Sequence, residues 1–225
     1  MMIILTDLSE VLINGIYGVE KVIKKRYGTE WAKLYLQRKE ETKVEFLDLM
    51  RGRLTEHGYW IRFMKDYSWP FSEQEIKYII SNNFALEVPG TRDVYERIIA
   101  YPENIFMDAK QLTGRPEIWI VSDHIAEREN ELRYLHPKVF GLATKVFWSY
   151  QIRNLKGDLG FFDRIIRNNH LLKEEVIFID DYQINLTAAA NAGIASIRFV
   201  NARQLEKDLK YFGFKFQPKK VNTYK

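Results

Sequence analysis

The sequence predicts an α/β fold: a parallel sheet with helices on both faces and an all-helical insertion after the first strand. Three features carry the prediction. The runs Met2-Ile3-Ile4-Leu5, Ile118-Trp119-Ile120-Val121 and Val176-Ile177-Phe178-Ile179 are apolar throughout instead of alternating, the pattern of strands buried on both faces. Helical patterns alternate with these runs, which implies crossover connections and parallel pairing. Between residues 29 and 85 only helical periodicity is found.

The first strand spans residues 2–6. A loop through Gly15 and Gly18 leads to a helix over 19–27, stopped by Gly28. Trp31, Leu34 and Tyr35 repeat at i, i+3, i+4 spacing, as do Phe46, Leu49 and Met50, then Trp60, Phe63 and Met64; successive helices follow. Pro70 marks a break, and Ser72 with Glu75 has the spacing of a capping box. Pro89-Gly90 turns into a helix over 91–100, and a polar connection through Pro102 and Gly114-Arg115-Pro116 follows. The strand at 118–121 ends at Ser122-Asp123-His124. Then come a helix near 126–134, a strand at 145–148, a helix at 161–166 and the strand at 176–179. A helix over 184–191, closed by Gly193, leads to a last strand at 194–199 and a last helix at 203–211. The tail from residue 214 is basic and aromatic without clear periodicity, and reads as a surface strap or a partly disordered segment.

At 225 residues the chain can bury a sizeable core. Its 34 basic residues are interspersed with 30 acidic ones, so the net charge of +4 is not the footprint of a nucleic-acid-binding protein. With no cysteine, disulfides, thiolate catalysis and cysteine zinc sites are excluded. That absence fits a cytoplasmic protein. The apolar start stops at Asp7, too soon for a signal peptide, and no stretch approaches the ~20 apolar residues of a membrane span.

Chemistry concentrates at strand ends. Asp180 and Asp181 lie side by side where a buried strand emerges, costly unless a cation or proton offsets them. Oxygen ligands of this kind suit Mg²⁺. Asp7 ends another strand, and Ser122 a third. In open parallel sheets, ligands bind outside the carboxyl ends of the strands.

The order strand-Asp7, helical insertion, strand-Ser122, Lys156, strand-Asp180-Asp181 resembles the haloacid dehalogenase superfamily, whose members are mostly Mg²⁺-dependent phosphatases. Within it the chain looks like the subgroup of glucose-1-phosphate phosphatase-like proteins and the phosphatase domain of soluble epoxide hydrolase. The match is most specific at Phe178-Ile179-Asp180-Asp181, Asn185, Ala189 and Ala192-Gly193-Ile194, then Phe199, Asn201 and Gln204-Leu205. The resemblance implies a Rossmann-like core domain, residues 1–14 and 86–225, and a helical cap domain, residues 15–85. It makes Asp7 the nucleophile that forms an aspartyl-phosphate. It makes Ser122 and Lys156 the phosphate-binding pair. Asp181 becomes a direct Mg²⁺ ligand, with Asp7 and the backbone carbonyl of Ser9, and Asp180 supports the metal from a second shell or through water. Lys145 is a rival to Lys156, but it starts a strand instead of following one. Asn185, one helical turn beyond the diacid, is placed to orient it.

The first motif departs from the pattern. The family's second Asp, a general acid and base, is here Ser9, and the usually small residue after it is Glu10. A serine hydroxyl does not supply the ~10²–10⁴-fold of general acid-base catalysis. The second motif's common Ser-Asn is Ser122-Asp123, so Asp123 or Glu10 is a candidate to take over proton transfer, with His124 and His136 behind them. Against this, Asp123 also reads as a cap for the next helix and Glu10 as a solvated side chain. The family also usually has Gly where Arg153 sits.

The leading expectation is a Mg²⁺-dependent hydrolase of small phosphate monoesters. The alternatives are a catalytically impaired relative that binds a phosphorylated ligand or protein partner, and a metal-independent dehalogenase, since dehalogenases of the superfamily also lack the second Asp. Phosphonate-cleaving relatives use a cap lysine, for which Lys24, Lys25 and Lys43 are the available residues. In the cap, Tyr17, Arg38, Lys39, Trp60 and Arg62 are candidates to face the cleft, but each reads more readily as cap core or solvated surface than as a ligand.

Overall fold

The computed structural model describes residues 2–101 and 115–218. Five parallel strands form one sheet in the order β3-β2-β1-β4-β5: β1 Ile3–Thr6, β2 Glu117–Ser122, β3 Ala143–Trp148, β4 Val176–Asp180 and β5 Ala195–Arg198. β1 is central, flanked by β2 and β4, so the acidic and hydroxyl-bearing strand ends converge. The strands alternate between two cores. Ile4, Ile118, Ile120, Ile177 and Ile179 face one, and Ile3, Leu5, Trp119, Val121, Val176 and Phe178 face the other.

Between β1 and β2 lie α1 Val19–Tyr27, α2 Thr29–Glu41, α3 Lys43–Met50, α4 Glu56–Met64, α5 Glu73–Phe84 and α6 Thr91–Ile99. No strand occurs among them, as the periodicity predicts. The capping box forms: Ser72 Oγ accepts from the Glu75 amide while the Glu75 carboxylate accepts from the Ser72 amide. A 3₁₀ turn at Ala126–Arg128, α7 Glu129–Leu135 and α8 Pro137–Phe140 connect β2 to β3. After β3 come α9 Ser149–Ile152 and α10 Phe161–Asn168; α11 Gln183–Asn191 follows β4 and α12 Ala202–Tyr211 follows β5. α10 shows why such segments pack. Phe161, Phe162, Ile165 and Ile166 share the buried face, and Asp163, Arg164 and Arg167 take the other. Pro102, Gly114 and the tail beyond residue 218 lie outside the described residues. Among the described residues, no helix is long and apolar enough to cross a membrane.

The helical insertion is bound to the sheet body by buried polar contacts as well as by apolar packing. One apolar cluster runs from Ile4 and Ile120 of the sheet to Tyr35, Trp60 and Phe63 of the insertion. Arg128, at the end of the 3₁₀ turn, donates from Nη2 and Nε to Glu56 Oε1 in α4, at 2.7 and 3.1 Å, and from Nη1 to Ser81 in α5. Arg51 grips Asp158 with two bonds, 2.7 and 2.9 Å. Ser149 Oγ donates to the Met50 carbonyl, 2.6 Å. The backbones also approach: Gly52 has φ +67, and a Cβ there would meet the Tyr150 carbonyl at 2.9 Å, so this crossing requires glycine.

The Glu56–Arg128 pair is almost fully buried on both sides, 7% and 7% exposed. Breaking such a pair strands a charge in a low-dielectric interior. Arg128→Met alone is therefore expected to cost about 3 kcal/mol in urea unfolding, and Arg128→Met with Glu56→Leu distinctly less.

Candidate functional site

The site is built where β1, β2 and β4 end together. The Asp7 amide donates to the Ile179 carbonyl, 2.9 Å, which extends the β1–β4 pairing by one residue and sets Asp7 beside Asp180 and Asp181. Ligand atoms of Asp7, Asp180 and Asp181 all lie within 4.8 Å of one another. Lys156, from the loop after α9, reaches in with 1% exposure. Its Nζ is 2.7 Å from Asp7 Oδ1 and 2.7 Å from Asp180 Oδ2. Of the two lysines weighed from the sequence, Lys156 is the one in the site. Lys145 Nζ bonds Asn169 Oδ1 and lies over the Trp119 ring.

Asp180 and Asp181 are neighbours with different surroundings. Asp180 is fully buried and both of its oxygens are engaged. Oδ1 accepts from the Tyr182 amide, 2.8 Å, Oδ2 accepts from Lys156, and Asn185 Nδ2 lies 3.1–3.2 Å from both. Asn185 therefore holds Asp180, one of the two carboxylates its spacing suggested it would orient. Asp181 is half-buried, and no other side chain among the described residues bonds its carboxylate. Asp7 Oδ1 takes the Leu8 amide, 2.7 Å, and Lys156; among the described residues no hydrogen bond ends on Oδ2. The Ser9–Ile13 bridge uses the Leu8 and Ile13 carbonyls and leaves the Ser9 carbonyl out.

Charge explains what this arrangement can hold. Three acids face one lysine, so with all four ionised the cluster lacks two positive charges. Burial pushes the Asp7 carboxyl well up, opposed by Lys156 and reinforced by Asp180 and Asp181. Asp181 is also raised, first by burial and then by Asp180. Burial works to discharge Lys156, but Asp180, Asp7 and Asp123 outweigh it and hold the ammonium protonated. A divalent cation with oxygen preference fits the deficit and the donor set. Ser122 Oγ, fully buried at the end of β2, has no hydrogen-bond partner among the described residues, a vacancy for an acceptor-rich ligand.

The remaining candidates divide. Asp123 does not cap the following turn, whose cap residue is Ile125. Instead its Oδ1 accepts from the Lys156 amide, 3.0 Å, and burial raises its carboxyl to about 6. Glu10 is not a solvated side chain: it sits at φ +63, and its Oε1 accepts from the Gly15 amide, 2.8 Å. The left-handed backbone explains why a small residue suits this position, and φ +59 does the same for Arg153. His124 is packed between Phe84 and Trp148, its Nδ1 accepting from the Ile125 amide, and burial lowers it to about 4. His136 Nε2 bonds the Phe84 carbonyl. Both histidines are structural.

Tyr17 is half-exposed, and its hydroxyl is raised by burial and by the nearby charges of Asp181, Glu10 and Asp7, so the start of the insertion borders the site. Two other insertion residues belong to the body of the insertion, the reading favoured above. Trp60 is 4% exposed core, its indole nitrogen bonded to Glu56, and Arg38 ties helices by donating to the Phe63 and Arg62 carbonyls. Lys39 lies against the Tyr35 ring with Glu20 and Glu40 as its nearest charges, and Arg62 is exposed. Lys24 and Lys25 are exposed on α1, and Lys43 pairs with Glu40 at the surface.

No family model and no curated protein matches the chain. Solved structures match it over nearly its whole length. A predicted HAD-like hydrolase from Porphyromonas gingivalis aligns with TM-score 0.66 and 18% identity, covering 96% of this chain and 98% of its own. A HAD family enzyme from Bacteroides thetaiotaomicron, solved with magnesium and inorganic phosphate, aligns with TM-score 0.63 and 17% identity, covering 89% and 95%. An L-2-haloacid dehalogenase from Xanthobacter autotrophicus, with chloropropionic acid covalently bound, aligns with TM-score 0.62 and 13% identity, covering 97% and 85%.

The raised carboxyls set a pH dependence. A carboxyl that holds its proton more tightly in the folded state stabilises the fold below its unfolded pKa and loses that contribution as pH rises through its folded one. His124, which burial lowers to about 4, contributes the opposite slope between pH 4 and its ordinary value, so the raised carboxyls are read as a difference between variants. In urea unfolding of the metal-free protein, wild type is expected to lose stability relative to Asp123→Asn as pH rises from 4 to 7.5, because Asp123 holds its proton to about 6. A difference between the two proteins that does not change over this window would contradict the assignment.

Proposed function

We propose that this chain, which has the haloacid dehalogenase-like fold, is a Mg²⁺-dependent hydrolase of small phosphate monoesters that works through an aspartyl-phosphate. The observation that carries the reading is the cluster itself: three carboxylates and one buried ammonium, short of two positive charges, beside an unpartnered serine hydroxyl.

In this reading Asp7 is the nucleophile. Its Oδ1 is held by the Leu8 amide and Lys156, which leaves Oδ2 to attack phosphorus. Asp7, Asp181 and the Ser9 carbonyl would hold Mg²⁺, and Asp180 keeps Lys156, Asn185 and the Tyr182 amide in place behind them. When bound, the metal polarises the phosphoryl group and screens it from the approaching carboxylate. Ser122 Oγ donates to a phosphoryl oxygen, and the Lys156 ammonium offsets the charge between phosphate and nucleophile. The insertion, residues 15–85, serves as the cap over a core of residues 1–14 and 86–225, excluding water and bringing Tyr17 to the rim.

A second reading has a specific observation behind it. Ser9 stands where phosphatases of this fold carry a second Asp, a feature shared with dehalogenases, and one of the similar structures is a dehalogenase. The half-exposed Asp181 with no other side chain on its carboxylate favours the metal-dependent reading.

Turnover of a panel of phosphate monoesters with and without Mg²⁺, and of 2-chloropropionate, separates the two. Phosphate release that is lost in EDTA and reduced more than ~10³-fold by Asp7→Asn is the expected result. Chloride release from chloropropionate unaffected by EDTA would establish the dehalogenase instead. Independently of turnover, Mg²⁺ should raise the melting temperature of the protein, and Asp181→Asn should weaken that binding at least ~10-fold by calorimetric titration.

A further inference from the structure

We infer that Asp123 is the proton-transfer residue of this site: it gives a proton to the leaving oxygen as Asp7 takes the phosphoryl group, then accepts one from the water that hydrolyses the aspartyl-phosphate. The inference rests on the phosphatase reading and names the group that does what Ser9 cannot. In the first step Asp7 Oδ2 bonds to phosphorus, the P–O bond to the alcohol breaks with its electron pair on that oxygen, and the Asp123 proton completes the alcohol. In the second, water oxygen bonds to phosphorus, its proton passes to the Asp123 carboxylate, and the P–O bond to Asp7 breaks, releasing phosphate and restoring both side chains.

Geometry singles out this residue. β1 pairs with β2 only as far as Thr6 opposite Ile120, and β2 runs on to Ser122, so Asp123 emerges beyond the level of the nucleophile's strand. The Lys156 backbone amide binds Asp123 Oδ1, and the ammonium of the same residue binds Asp7 Oδ1. The two carboxyls are therefore held by the two ends of one residue, and on this inference the leaving oxygen of a phosphoryl group attacked by Asp7 lies on the Asp123 side. Ser122, adjacent in sequence, holds the unpartnered hydroxyl. Of the other acids and bases near the strand ends, Glu10 bonds the Gly15 amide of its own loop and is not tied to Lys156, and His124 is held by the Ile125 amide between two rings. The environment supports the role. The groups facing Asp123 are Lys156, Asp158 and Asp180, with Arg51 from α3, and burial outweighs the cations to set its carboxyl at about 6, where both forms are available near neutrality.

Asp123→Asn tests this, because asparagine keeps an acceptor for the Lys156 amide and loses the proton. The substrates are p-nitrophenyl phosphate, whose leaving group needs no proton, and β-glycerophosphate, whose alkoxide does. With Asp123→Asn, p-nitrophenyl phosphate should give a burst of about one equivalent of p-nitrophenol and then slow turnover, as phosphorylated enzyme accumulates. β-Glycerophosphate turnover should fall ~10²–10⁴-fold with no burst. Wild-type turnover of β-glycerophosphate should decline above about pH 6, a limb absent in the variant. Equal slowing of both substrates without a burst would reduce Asp123 to a residue that positions Lys156, and unchanged rates would remove it from the reaction; either overturns the inference. Mg²⁺-dependent turnover by wild type that Asp7→Asn abolishes keeps the phosphatase reading intact in both cases. If wild type turns over neither ester, that reading falls and this inference with it.

Discussion

The buried ammonium of Lys156 is the constraint on which the rest of the site depends. A charge at 1% exposure persists only when it is paired and hydrogen-bonded, and Lys156 meets that condition by touching Asp7 and Asp180 at once. Each contact does separate work. The bond to Asp7 fixes which oxygen of that carboxylate is engaged, and in the proposed reading it leaves the other to react. The bond to Asp180 turns that carboxylate inward, where Asn185 and the Tyr182 amide complete it, and leaves Asp181 as the carboxylate facing outward. Two adjacent aspartates thus take different roles because only one of them meets the lysine.

The same electrostatics bear on the oddity of the first motif. A site that already holds Asp7, Asp180 and Asp181 against one lysine is burdened with negative charge, and each further carboxylate nearby adds repulsion. Ser9 removes an acid from the loop after β1, and Asp123 supplies one at the end of β2. In the proposed reading the acid missing at Ser9 is supplied from the end of the neighbouring strand, where burial raises the Asp123 carboxyl to about 6.

Much of this was legible in the sequence because the relevant signals are local. Strands buried on both faces are uniformly apolar, so a polar residue at their ends stands out, and Asp7, Ser122, Asp180 and Asp181 are all such residues. Lys156 lies in a loop without periodicity and was found through its place in the motif order. The positions left open in the sequence have a common cause. Arg38 and Trp60 are types that often bind ligands, and only the three-dimensional packing reveals that carbonyls of α4 satisfy the one and the core buries the other. The partners of Glu10 and Asp123 were equally hidden, since a backbone amide leaves no signature in the side-chain sequence. The left-handed backbone at Glu10 and Arg153 had a trace, a large residue where a small one is usual, but the dihedral itself had to be seen.

The insertion is tied to the loop of the same lysine. Arg51, at the end of α3, holds both oxygens of Asp158 and keeps that carboxyl below the usual range. Asp158 Oδ2 in turn accepts from the Leu155 amide, 2.9 Å, one residue before Lys156, whose own amide is fixed by Asp123. The loop that delivers the ammonium is therefore pinned on one side by the sheet and on the other by a helix of the insertion. Residues 107 apart in sequence make the second of these contacts. A motion that lifted this part of the insertion from the sheet would have to break a bidentate ion pair, while the Leu155 amide, Asp123 and the bonds of the ammonium would still hold the loop. The insertion thus braces, two residues beyond Lys156, a loop that the sheet already fixes, and in the proposed reading that bracing supports the position of the ammonium against Asp7.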